Sequence, residues 1–345
     1  MLLGLLLLSL CGVGEWQVNT DLFDEIPSYV NTPAVGPDGH IYFTDPREGR
    51  VYHLDETGAL VAVFGSIGEG PGEFGRPYQL FVSHLDNLIF IRDFRRSNMM
   101  IFKPNGEFVS EGVQVVARTY PNLLNGGNTV FLQYEDPFVS PNQGAKVMVN
   151  LVDGGSRMVA SFDANQHEDM KTAVNGGARG QMYFSWLRRV LFCVSPDQKT
   201  FYVGPNEQLD VVVYDAVTLK PIGTIEDDCL VKLPLTKEEQ EGTRSGVVLN
   251  GKEYYASDFD QPDYKPAILE LMAGAGGRLW VQLQRNYLAE QQKYRIYEKD
   301  GRFAGTLGVP KEDRIFYTDD HFIWFTSMNE AGDTLIAKKA YRLAP

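Results

Sequence analysis

The chain has 345 residues, of which 43% are hydrophobic and 12% aromatic, so it carries ample apolar surface for a buried core. Only 22% are charged, which is not the balance of a disordered chain. The 32 Lys and Arg residues stand against 45 Asp and Glu, a formal net charge of −13 that repels phosphate backbones and anionic headgroups and argues against nucleic acid as a partner.

The chain opens with a leucine run, Leu2 to Leu10, far shorter than the ~20 apolar residues of a membrane-spanning helix. It fits the apolar centre of a signal peptide over residues 1–14. Two cleavage readings compete. Gly12-Val13-Gly14 offers a small-x-small site, whereas Leu8-Ser9-Leu10-Cys11 is similar to a lipoprotein box that would make Cys11 the lipidated residue, with Leu10 departing from the small residue such a box prefers. Either reading exports the protein, to the periplasm or the outer cell surface, with a lipid anchor as its only route to a membrane. Export permits disulfides. Cys193 sits in an apolar run and reads as a buried free thiol, and a bridge to Cys229 stays open.

From residue 15 onward one block recurs: an apolar strand, a tight polar turn, then a strand rich in aromatic and β-branched residues. The six copies begin at Pro37-Asp38-Gly39, His84-Leu85-Asp86-Asn87, Asn125-Gly126-Gly127, Ser195-Pro196-Asp197, Ala275-Gly276-Gly277 and Thr318-Asp319-Asp320. Asp-Gly and Gly-Gly supply the positive φ that tight hairpins demand. Most copies continue into a third and fourth strand, as in Val51–Leu54 to Leu60–Phe64 across Asp55-Glu56-Thr57-Gly58. The pattern predicts an all-β fold: one six-bladed β-propeller of four-stranded antiparallel blades over residues 15–345. The sixth copy shows only three strands, and the segment Trp16 to Phe23 is expected to complete it and close the ring.

The segment Phe64-Gly65-Ser66-Ile67-Gly68-Glu69-Gly70-Pro71-Gly72-Glu73-Phe74-Gly75-Arg76-Pro77 resembles the linker between NHL repeats, and Asp38-Gly39-His40-Ile41-Tyr42-Phe43-Thr44-Asp45 resembles the NHL core. Residues 266–310, with Gly276-Gly277-Arg278-Leu279-Trp280-Val281 and Asp300-Gly301-Arg302, look like the penultimate blade of uncharacterised bacterial six-bladed propeller lipoproteins. The resemblance spans about residues 30–343 and implies fold far more than activity.

Propeller geometry sorts the connections onto two faces. One face carries short turns throughout. The other gathers the crossing 65–77, the loop 133–146, an insertion at 163–188, a second at 226–266 and the loop 284–293. Long loops on a rigid scaffold are where binding and catalysis concentrate.

Near that face fall Arg47, Arg50, Arg92, Arg95, Arg96, Arg188 and Arg189, with Asp45 and Asp93 among them. The arginines suit an anionic ligand, while the two aspartates read more readily as loop-fixing groups. The insertion at Tyr254, Tyr255 and Asp258 mixes rings with carboxylates, as sugar, peptide or Ca²⁺ recognition would need, and serves equally as a capping strap. The resulting candidate ligand set is Arg47, Asp93, Arg95, Arg96, Arg188, Tyr254, Tyr255 and Asp258. Gly68-Glu69-Gly70-Pro71-Gly72 lacks the Lys-Ser/Thr of a phosphate loop and reads as an inter-blade turn.

Catalysis is the minority reading. His40, His84 and His321 fall on the short-turn face and only His167 on the other, which is no zinc site. Lactonase-like propellers hold a divalent metal at the channel mouth with Glu, Asn and Asp, and the loops offer Glu135, Asp136, Asn206 and Glu207 at unremarkable spacing. No cofactor is expected, with Ca²⁺ the one metal these groups would suit. The leading expectation is a monomeric, non-enzymatic binding or scaffold propeller for a peptide, glycan or protein. The alternatives are a metal-dependent lactonase-like hydrolase and a purely structural module of an envelope complex.

Overall fold

The computed structural model describes residues 15–19, 30–31, 33–96, 98–114, 122–124, 127–134, 144–151, 153–162, 170–175, 178–183, 187–242, 247–255, 258, 262–285, 289–330, 332 and 334–344. Residues 1–14, read above as a signal peptide, with Cys11 among them, His167 and the loop carrying Glu135 and Asp136 lie outside them.

Six four-stranded antiparallel sheets form in chain order, each running from an inner strand to an outer one. Blade one is Ala34–Val35, Ile41–Asp45, Arg50–Leu54 and Leu60–Phe64. Blades two to five follow with inner strands at Pro77–Val82, Asn122–Leu123, Val190–Val194 and Ile268–Ala273. Blade six is Arg314–Thr318, Phe322–Met328 and Thr334–Ala340, and its outer strand is Trp16–Asn19. Trp16 lies opposite Lys338 and Asn19 opposite Leu335 in that pairing. The terminal clasp expected from the sequence is present, and it is stapled sideways: Trp16 Nε1 donates to the Glu56 carbonyl of blade one at 2.8 Å.

The core is divided among the blade interfaces. Phe43, Tyr52, Trp324 and Ile336 pack between blades six and one. Tyr42, Phe74, Ile91 and Phe102 pack between one and two, and Phe90, Met99 and Leu123 between two and three. Val147, Val190 and Phe201 fill the third-to-fourth gap, Val211 and Leu271 the next, and Trp280 with Ile323 the last. The alternation of each strand therefore buries both faces against neighbouring blades, which is why central strands such as Ile41–Asp45 are buried at every residue.

Turn chemistry on the short-turn face is repetitive. Asp38, Asp55, Asp197, Asp215 and Asp319 each accept backbone N–H groups of their own turn at 2.7–3.1 Å. The first turn of a blade has positive φ at Gly39 (82°) and Gly277 (86°), but Asn87 (54°) and Gln198 (59°) occupy the same place in blades two and four. A non-glycine residue there is strained, and Gln198 has a use that offsets the strain, described below.

The two insertions carry structure that periodicity did not reveal. Between blades three and four lies the hairpin Met170–Asn175 with Ala178–Tyr183. Between four and five, Leu233–Pro234 pairs with Tyr264–Lys265, and inside that frame sit a short helix, Lys237–Gly242, and the hairpin Val247–Leu249 with Lys252–Tyr254. Among the described residues no helix is long and apolar enough to cross a membrane.

Candidate binding face and channel

The inner strands enclose a central channel with a cavity of about 340 Å³. At the short-turn end it has a floor. The Gln198 side chain reaches from blade four to blade two, its Nε2 donating to the Val82 carbonyl at 2.6 Å while its Oε1 accepts from the His84 backbone N–H at 3.4 Å. His84 in turn contacts the Val35 carbonyl of blade one through Nε2 at 3.0 Å. The inner strand of blade three has only two residues, which lets blades two and four meet across it. Blades one, two and four are thereby tied at one end of the channel.

Apolar side chains, Leu80, Phe81, Val82, Phe192 and Phe316 among them, share the wall with the polar His84, Asn122, Ser195 and Gln198. One sector differs. Glu270, Gln282 and Tyr294 of blade five and Arg314 of blade six line the same cavity. Behind them Gln282 Nε2 donates to Gln292 Oε1 at 2.5 Å, and the Tyr294 hydroxyl lies 3.5 Å from that oxygen. Burial pushes the Glu270 carboxyl above its usual range and Arg314 partly offsets the rise. Glu270 is nonetheless accessible, because it opens on water in the lumen while protein surrounds it on the other sides. Burial also raises the Tyr294 hydroxyl, with the Glu270 charge adding to the effect.

The insertions form a second layer on the long-loop face. Strand Val247–Leu249 packs beside the hairpin Met170–Asn175 and Ala178–Tyr183, so two separate crossings join into one platform. The platform is pinned from below. Thr236 caps the short helix by a reciprocal box, with Glu239 N–H donating to Thr236 Oγ1 at 3.3 Å and Thr236 N–H to Glu239 Oε2 at 3.1 Å. The other Glu239 oxygen takes Lys265 Nζ at 2.5 Å, and Lys265 also donates to the Arg285 carbonyl at 3.0 Å. Both partners of this ion pair are buried. Above it, Val231, Val248, Tyr255 and Tyr264 are exposed large apolar side chains.

The residues singled out from the sequence divide into two kinds. Asp93 is structural: its carboxylate accepts the backbone N–H groups of Gly75 (2.6 Å), Arg76 (2.9 Å) and Arg95 (2.8 Å), locking the crossing from blade one to its own loop. Asp45 does the same for Arg47 N–H at 2.8 Å. Arg96 is spent on Glu111 at 2.6 Å and on the carbonyls of Gly70 and Glu73. The Gly-rich crossing is an inter-blade turn wrapped on buried Phe74, and Glu73 itself fills the apparent anion cradle by accepting from Gly70 N–H at 2.8 Å.

Arg47 and Arg95 are exposed, the latter with its aliphatic stem laid over Gly75, and Arg188 is half-buried. Tyr255 is exposed on the platform, its hydroxyl donating to Glu253 and its N–H to Asp258 at 2.7 Å, while Tyr254 lies under Lys252 Nζ at 4.7 Å. The arginines and the tyrosine strap therefore share a face without forming one cluster.

Of the metal candidates, Asn206 is committed to the fold. Its Oδ1 accepts from Arg189 N–H at 2.8 Å and its Nδ2 donates to the Leu187 carbonyl at 3.0 Å. Glu207 pairs with Lys232 at 2.7 Å. Among the described residues no group of three or more His, Cys, Asp or Glu side chains converges on a metal position. Cys193 is buried and Cys229 exposed, and both are free thiols.

Sequence reasoning missed Glu270, Arg314 and Gln198. A signal for Glu270 was present: it is the one charged residue in Ala267-Ile268-Leu269-Glu270-Leu271-Met272-Ala273. Nothing in the sequence shows that Gln198 crosses to a blade more than a hundred residues earlier.

Residues 36–122, which hold blade one without its inner strand and all of blade two, match the family model DUF5128, described as a 6-bladed beta-propeller. The match and the fold agree. Six blades are present, and the NHL likeness remains one of motif. A DUF4221-family protein of Bacteroides vulgatus shares 10% identity over 95% of this chain and 98% of its own, with a TM-score of 0.58. A Bacteroides fragilis protein described as exported shares 14% identity over 95% of each chain, with a TM-score of 0.52. A Xanthomonas campestris gluconolactonase shares 13% identity over 94% of this chain and 89% of its own, at a TM-score of 0.46. At such identities the likeness is one of fold. No curated protein matches the chain.

Proposed function

We propose that this propeller is a non-enzymatic binding module, acting outside the cytoplasm, that captures a protein or peptide on its long-loop face. The observation that carries the reading is the platform. Two insertions from separate crossings pack together over the ring, and the second presents Val231, Val248, Tyr255 and Tyr264 to solvent. None of this is needed to close a ring whose blades are complete without it. Exposed apolar and tyrosine surface, rimmed by charge, is the composition of a protein-binding patch. The opposite face offers only turns whose aspartates are already bonded within themselves.

The leader-like segment 1–14 supports export, and the Bacteroides fragilis protein of similar fold agrees with that setting. Of the hydrolase alternative's candidate ligands, Asn206 is bonded to backbone groups and Glu207 to Lys232, while Glu135 and Asp136 lie outside the described residues.

Peptide and glycan arrays probed with the purified chain, followed by titration of the hits, test the reading. Tyr255→Ala and Val248→Asp are expected to weaken a peptide hit about tenfold or more with the melting temperature unchanged. Hits confined to glycans, or affinity that neither variant alters, would remove the protein-binding assignment.

A further inference from the structure

The side chain of Glu270 owes its position to a β-bulge. In the pairing of Ile268–Ala273 with Leu279–Leu283 the register shifts between Ile268 and Glu270. Ile268, Leu271 and Ala273 all pack in the apolar cluster between blades four and five. Regular alternation would put residue 270 on the side of residue 268 and bury it there. The extra residue changes the phase, so Glu270 faces the channel instead. A second bulge, between Ile315 and Tyr317 on the inner strand of blade six, lies next to Arg314, which lines the same cavity.

A glutamate and an arginine on adjoining blades are the usual makings of an ion pair. Here they do not pair. Among the described residues no hydrogen bond or ion pair engages either the Glu270 carboxylate or the Arg314 guanidinium, and the two act on each other only through space. Both are exposed to the lumen. Each therefore offers its charge to the cavity, and a dipolar ligand would engage both groups at once. The rest of the wall mixes apolar and aromatic side chains, Phe81, Phe192 and Phe316 among them, with the polar His84, Asn122, Ser195 and Gln198.

We propose that the channel is a binding site for a small zwitterion of the free α-amino-acid type. Its ammonium group meets Glu270, its carboxylate meets Arg314, and its side chain lies against Phe81, Phe192 and Phe316. Arginine suits the carboxylate because its planar fork donates two parallel hydrogen bonds. Aromatic rings near the ammonium add attraction of their own. The cavity of about 340 Å³ is at the small end of ligand pockets, a volume that suits a ligand of amino-acid size. The Gln198 tie spans the channel at its short-turn end. The site lies in the lumen, away from the platform, and stands or falls independently of the partner proposed above.

Isothermal titration of the purified chain with each of the common free amino acids, and with the N-acetyl and amide forms of those that bind, tests the assignment. The expected result is saturable binding of apolar free amino acids, weakened about tenfold or more by blocking either end. Glu270→Gln should lower affinity for the free amino acid yet leave that for the N-acetyl form unchanged, and Arg314→Met should do the same with respect to the amide. Failure of every free amino acid to bind, or equal binding of blocked and free forms, overturns the proposal, and neither comparison requires a variant to fold.

Discussion

His53 is 4% exposed, stacked under Tyr42 with ring centroids 4.3 Å apart, and its Nε2 lies 2.7 Å from Nδ1 of His40. One ring nitrogen of that pair must offer a lone pair to the N–H of the other, so the contact does not survive protonation of both rings. Burial, then the His40 charge, lowers the pKa of His53, against smaller opposing effects of Asp38, the Pro104 carbonyl and Asp55. Burial also lowers His84, against its bond to Val35 and the charges of Asp197 and Asp38. A histidine whose folded pKa lies below its unfolded value binds more protons when unfolded. The neutral form therefore stabilises the fold fully above the unfolded pKa of about 6.5, and that stability is lost as pH falls through the folded value. The melting temperature should drop between pH 7 and pH 5. Raised carboxyls such as Glu270 and Asp313 act in the opposite sense, so the useful comparison is with His53→Gln/His84→Gln. A shallower pH dependence in that variant is expected, and an identical profile would assign the effect to other groups.

Single elements show what the sequence disclosed and what it hid. The strands of most blades were legible because period-2 apolar runs alternate with Asp- and Gly-bearing turns, both local properties, while the two outer strands of blade three, Ala145–Asn150 and Ser156–Phe162, were not named from the sequence. The platform helix left a local trace as well, in Thr236 followed three residues later by Glu239, but its pinning by Lys265 depends on chain folding back from 26 residues away. The bulge that turns Glu270 inward was not legible, since Ile268 to Ala273 reads as an ordinary buried strand until its partner's register is known. Asp93 stood both as a ligand candidate and, more readily, as a loop-fixing group, and its oxygens are taken by backbone N–H groups as the second reading expects. Gln198 is the element-scale case that invites measurement. It holds φ of 59° in a turn where Gly39 and Gly277 do so without strain, and its amide spans to blade two. Gln198→Ala keeps the strained backbone and removes the tie, while Gln198→Gly removes both. The alanine variant is expected to lose about 2 kcal/mol and the glycine variant about 1 kcal/mol less than that, by urea denaturation. A glycine variant more stable than the native chain would mean that the floor of the channel contributes nothing to the fold.

At the scale of the whole molecule, stability depends on how a linear array of blades becomes a ring. Blades one to five are each built from consecutive strands, so local sequence is enough to form them. Blade six alone needs residues from both ends of the chain, and only Trp16–Asn19 protects the edge of Thr334–Ala340. Trp16 is buried in the cluster that joins blade six to blade one, and its Nε1 reaches the Glu56 carbonyl of a third-to-fourth turn. One side chain therefore completes a sheet and stitches the first blade to the last. Trp16→Ala should cost about 3–5 kcal/mol, the range for large buried aromatic residues, whereas Gln17→Ala, exposed on the same strand, should cost less than about 0.5 kcal/mol. Because the loss bares a strand edge, the same variant should also associate in a concentration-dependent way, visible by light scattering. A single unfolding transition shifted to lower temperature would mean that the ring unfolds as one unit, with the clasp part of its cooperativity. An unshifted midpoint with local loss of protection at Thr334–Ala340 in hydrogen exchange would instead place closure outside the cooperative core, with blade packing alone holding the ring.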